Sequence, residues 1–107
     1  MNNNRTKLLS LLGMARRAGK LSTGFESVKE SALRRKSHLI VCSFDLSPKT
    51  FKELSFAADG KNCERSIFSM EEISNAVGTK TGCVSINDQG FAQAVNKLLI
   101  TLKEDSE

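Results

Sequence analysis

The run Leu39-Ile40-Val41-Cys42 constrains the fold more than any other stretch of the chain. All four residues are apolar, with no polar alternation to mark a wet face, so a strand built from them is covered on both sides by helices. The flanking segments supply those helices. Leu8, Leu11, Leu12 and Ala15 recur at i, i+3, i+4 and i+7, which predicts an amphipathic helix from about Arg5 to Ala18, stopped by Gly19. Lys20 to Thr23 has room only for a brief strand. Thr23 then reads as the N-cap of a second helix opening at Gly24, with Phe25, Val28 and Ala32 as its buried stripe.

The pattern continues after the apolar run. Ser47-Pro48 is an N-cap followed by proline at the first helical position, and Phe51, Leu54 and Ala58 share one side of a helix ending near Gly60. Arg65 to Phe68 is expected as a short strand. Ser69-Met70-Glu71-Glu72 fits a capping box, opening a helix through Ile73 and Ala76 to a stop at Gly78. Gly82 to Ile86 reads as the last strand. A final helix from Asp88 or Gln89 carries Phe91, Val95, Leu98 and Leu102, and Glu104 to Glu107 are expected to fray. Helices alternating with short strands give an α/β class with helices on both faces of a small sheet, and 107 residues make one domain, residues 1–107.

Several functional classes fall away. No apolar stretch approaches the roughly 18–20 residues that span a bilayer, and the polar, Asn-rich start is unlike a signal peptide, so no membrane partner is expected. Cys42, Cys63 and Cys83 are odd in number and lack any Cys-x-x-Cys spacing, which suits reduced thiols in a cytoplasmic protein and gives no metal site. His38 stands alone before a strand, without a cysteine or aspartate placed to make it a catalytic base. Gly13 to Lys20, GMARRAGK, has five residues between its glycines, Leu21 after the lysine and a helix before it, so it is not a phosphate loop. The chain reads as a non-enzyme without a cofactor.

Charge is unevenly placed. Residues 1–36 hold nine bases against two acids, a balance of +7, while residues 37–107 hold seven against ten, −3, giving +4 overall. Taken alone, such a segment is equally an electrostatic footprint for nucleic acid or a solvated helical face. The junction at Thr23-Gly24 adds a helix N-terminus, whose N–H groups and dipole attract anions, bracketed in sequence by Arg16, Arg17, Lys20 and Lys29. With neither tyrosine nor tryptophan, and with Phe25 on the apolar stripe, base stacking on the sheet is not expected.

The segments LLGMARRAGKLSTGFESV, HLIVCSFDLSP and INDQGFAQAV resemble the ribosomal proteins that bind kink-turn RNA, most of all their small bacterial YlxQ-like branch. The likeness spans about residues 6–102 and implies a three-layer α/β/α sandwich around a mixed four-stranded sheet. It further implies that Thr23, Gly24, Phe25, Glu26 and Ser27 face RNA, with Arg16, Arg17 and Lys20 on phosphates and Lys80 reaching in from a neighbouring loop. Family members read tandem G·A pairs through Gly-x-Asn-Glu-x-x-Lys at this helix start. Here the glycine is Gly24, but the asparagine, glutamate and lysine positions hold Glu26, Ser27 and Glu30, with Lys29 adjacent. The family's apolar loop before the last strand is polar here, Gly78 to Gly82. The expectation is a monomeric binder of structured RNA, associated with the ribosome or with translation-related proteins. The competing expectation is a protein-interaction module on the same fold that no longer reads RNA.

Overall fold

The computed structural model describes residues 3–105. In chain order its elements are α1 (Asn4–Arg17), β1 (Leu21–Thr23), α2 (Phe25–Leu33), β2 (Leu39–Cys42), α3 (Pro48–Ala57), β3 (Cys63–Arg65), α4 (Met70–Val77), β4 (Cys83–Ile86) and α5 (Gln89–Asp105). The strands form one sheet in the order β1-β4-β2-β3. β4 is antiparallel to both β1 and β2, whereas β2 and β3 are parallel, so the sheet is mixed.

The apolar run does what its composition demands. β2 and β4 are buried along their whole length, and successive side chains enter opposite cores. Leu39, Val41, Val84 and Ile86 join Leu8 and Leu12 of α1, Ile73 of α4, and Val95 and Leu99 of α5. Ile40, Cys42 and Cys83 face the other way, against Val28 and Ala32 of α2 and Leu54 of α3. The three-layer sandwich follows directly. Truncating a side chain such as Leu12, wholly buried in the larger core, carries the usual cost of about 2–5 kcal/mol.

The local helix signals act as read. The Ser47 hydroxyl accepts the Thr50 N–H at 3.2 Å, with Pro48 in the first turn. Ser69 and Glu72 form the full capping box, and Gly78 closes α4 in the left-handed conformation. Asp88 caps α5 through its carboxylate, which accepts the Phe91 N–H at 2.9 Å.

Three expectations are corrected. Thr23 is not an N-cap: it is the last residue of β1, paired with Val84, and Gly24 occupies the cap position without a side-chain bond. The third strand lies at Cys63–Arg65 rather than at residues 65–68. It pairs in register with Ile40–Cys42 and must end where β2 ends, at which point Ser66 N–H and hydroxyl both donate to the Cys42 carbonyl, each at 2.8 Å. Phe68 is then free to leave the sheet and fill the larger core, fully buried. Finally, Glu104 and Asp105 belong to α5 rather than to a frayed tail, while residues 106–107 lie outside the described residues. Among the described residues no helix is long and apolar enough to cross a membrane.

Candidate nucleic-acid interface

The pairings Thr23 with Val84 and Cys42 with Cys83 set the ends of β1 and β2 beside the start of β4. The β1–α2 junction, the β2–α3 loop and the α4–β4 loop therefore share one end of the sheet. Gly24 makes the β1–α2 junction possible. Its φ of +85° with ψ of 150° is a conformation essentially restricted to glycine. It turns an extended strand into a helix within one residue.

Thr81 holds two of these loops together. Its buried hydroxyl accepts the Gly24 N–H at 2.9 Å and donates to the Cys83 carbonyl. Its backbone is clamped in turn by Ser74, whose hydroxyl accepts the Thr81 N–H at 2.9 Å and donates to the Thr81 carbonyl at 3.1 Å. The exposed Lys80 thus stands on a braced loop adjoining the start of α2. Nothing in the composition of the 78–82 loop distinguishes Thr81 from Thr79. Its partner lies 57 residues away, so no local signal could have singled it out.

No side chain caps the start of α2. Glu26 and Ser27 are exposed in its first turn, whereas Phe25 is half-buried against the smaller core. Lys29 lies one turn on, but helical side chains lean towards the N-terminus. Its ammonium sits over the Phe25 ring, 5.5 Å from the centroid, which brings a cation back to the helix start. Glu30 goes the other way, forming an exposed ion pair with Arg34 at 3.1 Å.

The three bases of the α1 end are dispersed. Arg16 donates to the Val77 carbonyl at 2.6 Å, closing the C-terminus of α4 just before the Lys80 loop. This contact needs α1 and α4 close together, and Gly13 supplies the clearance: a Cβ there would lie 2.8 Å from the Ala76 carbonyl oxygen. Arg17 lines a groove of about 720 Å³ between α1 and α4. Lys20 precedes β1 at the opposite end from Gly24, its carbonyl accepting the Asn87 N–H at 2.8 Å. The structure thus gathers Thr23, Gly24, Phe25, Glu26, Ser27, Lys29 and Lys80. Arg16 adjoins them through α4, and Arg17 and Lys20 stand apart.

The three thiols lie in and against the smaller core. Cys42, Cys63 and Cys83 are unbridged, and among the described residues no histidine, cysteine and acid cluster could hold a metal. A hydrogen bond with the Cys63 thiol, together with burial, holds Cys42 protonated, and burial pushes Cys83 up to about 11.

No protein-family model matches the chain. The solved structure of a protein of unknown function from Bacillus halodurans superposes with a TM-score of 0.81 at 27% identity, covering 88% of this chain and 97% of that one. The 15.5-kD RNA binding protein of Giardia lamblia superposes at 0.72 over 97% of this chain and 91% of its own, and its 16% identity makes this a likeness of fold alone. In sequence, the chain is 31% identical over 97 residues to the RNA-binding protein YlxQ of Enterococcus faecium, covering 90% of this chain and 94% of that protein. With that identity over nearly the full length of both, the chain belongs to the YlxQ-like branch of the kink-turn RNA-binding ribosomal protein family.

Proposed function

We propose that this protein is a non-catalytic, cytoplasmic binder of structured RNA that works as a monomer on ribosomal or other translation-linked RNA. The observation that carries the reading is the uncapped start of α2, joined through Thr81 to the loop that bears Lys80. A helix N-terminus with free N–H groups, two flanking lysines and a glycine that admits a close approach suits a phosphate backbone. The kinship with a protein named for RNA binding supports the same reading. Arg16 borders this surface, and Arg17 and Lys20 reach only RNA that extends beyond it.

The base readout differs from the family motif. Glu26 replaces an amide with a carboxylate, which loses a donor and sets negative charge where phosphates approach. It retains acceptors for the amino groups of guanine or cytosine. Glu30 replaces a cation but is turned towards Arg34, while Lys29 returns a cation to the helix start. The protein therefore binds structured RNA with weakened discrimination for tandem G·A pairs.

Filter binding to a kink-turn hairpin, and to the same hairpin with G·C in place of the G·A pairs, tests this reading. Affinity for both falls steeply between about 50 and about 200 mM salt, and Lys80→Ala lowers the salt slope by about one. Glu26→Asn restores preference for the G·A hairpin. Absence of salt-sensitive retention at micromolar protein would overturn the proposal. A second reading, a protein-interaction module without RNA affinity, gains no support from the relatives.

A further inference from the structure

A second surface lies in the groove between α2 and α3, with a volume of about 430 Å³; it runs from the RNA-facing end, where it shares Lys29, towards the opposite end of the sheet. Its apolar part is formed by Leu33 and Phe56, which are 61% and 86% exposed, the two most exposed large apolar side chains among the described residues. Its rim carries Lys29, Lys49 and Lys52 against a single acid, Glu53. Lys49, Lys52 and Phe56 fall at i, i+3 and i+7, so they form one stripe along α3. Neither Lys49 nor Lys52 belongs to any of the ion pairs formed among the described residues. The groove thus grades from cationic at the α3 N-terminal end to apolar at the C-terminal end.

We infer that this groove docks an acidic amphipathic helix of a partner protein, with its apolar side chains against Leu33 and Phe56 and its carboxylates against the three lysines. Exposed aromatic anchors ringed by charge are the usual centre of such contacts. A second copy of this chain is disfavoured, because the rim carries three lysines against one acid and bringing two such rims together sets like charges against each other. RNA could use the lysines and the Phe56 ring, but it leaves Leu33, 61% exposed, uncovered, whereas the apolar face of a helix covers both side chains. This inference does not rest on the RNA-binding reading.

The test is a titration of isotope-labelled protein with a synthetic peptide of repeated Glu-Leu-Leu-Glu-Glu-Phe-Glu, followed by amide chemical shifts. Two controls are the same peptide with lysine for every glutamate and a single-stranded oligouridine. The expected result is saturable shifts at Leu33, Lys52 and Phe56 with the acidic peptide alone. Phe56→Asp weakens that binding by about tenfold or more, as does Lys49→Glu combined with Lys52→Glu; the unfolding midpoint stays unchanged in both, and hairpin retention stays unchanged in Phe56→Asp. Because both sites are on the surface, these variants fold. Overturning results are groove amides that do not move, that move equally with the lysine peptide, or that respond to oligouridine instead. Self-association abolished by Phe56→Asp would assign the groove to a second copy and would likewise overturn the inference.

Discussion

The starts of α2 and α4 meet the same structural demand in opposite ways. Both open a helix directly above the sheet, and both leave backbone N–H groups without helical partners. At α4, Ser69 and Glu72 close the account reciprocally, with Arg5 adding a 2.7 Å ion pair to Glu72. At α2, a glycine in a conformation that other residues resist occupies the cap position, and its own N–H is taken by Thr81. No side chain serves the first turn beyond it. One start is closed by its own side chains; at the other, the first turn has no side-chain cap. The difference teaches that a helix start can be held either by side chains of its own first turn or by a backbone bond to a distant loop.

Gly24→Val should break the comparison most sharply. Nothing lies within 4 Å of the new Cβ, so the penalty at that atom is backbone strain rather than a clash, about 1–3 kcal/mol. It reads as a lowered urea midpoint together with lost hairpin retention. Thr81→Val keeps shape but removes the hydroxyl that accepts the Gly24 N–H. An unsatisfied buried donor costs about 1–3 kcal/mol, and loosening of the Lys80 loop should weaken RNA binding beyond the loss of stability. If Thr81→Val left both quantities unchanged, the brace would be incidental.

Ser69→Ala provides the converse. It should cost about 1 kcal/mol of stability with no change in hairpin affinity, since that helix start is closed. The smallest effect is in pH. The Ser69 N–H, and then Arg5, hold the Glu72 carboxyl below its ordinary value of 4.5. Its folded form therefore binds a proton less readily than the unfolded chain, so the stabilisation is present above about pH 4.5 and is lost as pH falls through the lower folded value. Glu72→Gln should flatten the acid limb of a midpoint-against-pH curve. An unchanged limb would place the acid sensitivity elsewhere.

The corrected residues show where sequence reasoning stops. Ser47, Ser69 and Gly78 act on N–H and carbonyl groups within a few residues, so their roles were legible from local spacing. Thr23 ends a strand rather than capping a helix: a threonine suits both, and the choice falls to a pairing with Val84, 61 positions on. The third strand was displaced because β2, not the composition of the segment, sets where pairing ends. The basic first third was visible as a sum, but its sharing among surfaces was not. Arg16 turns to Val77, Arg17 to the α1–α4 groove, and Lys20 to the far end of β1.

By itself, the sequence determined the layered α/β architecture, because an unbroken apolar strand leaves no stable alternative to helices on both faces. It also placed a helix start at Gly24, within one residue of where α2 begins. Only the tertiary structure decided what the residues around it meet. Thr81 meets Gly24, Glu30 meets Arg34, Lys29 reaches back over Phe25, and three lysines border an apolar groove. Local caps and periodicities are fixed by bonds to near neighbours. A site is fixed by partners that chain distance separates and packing alone brings together.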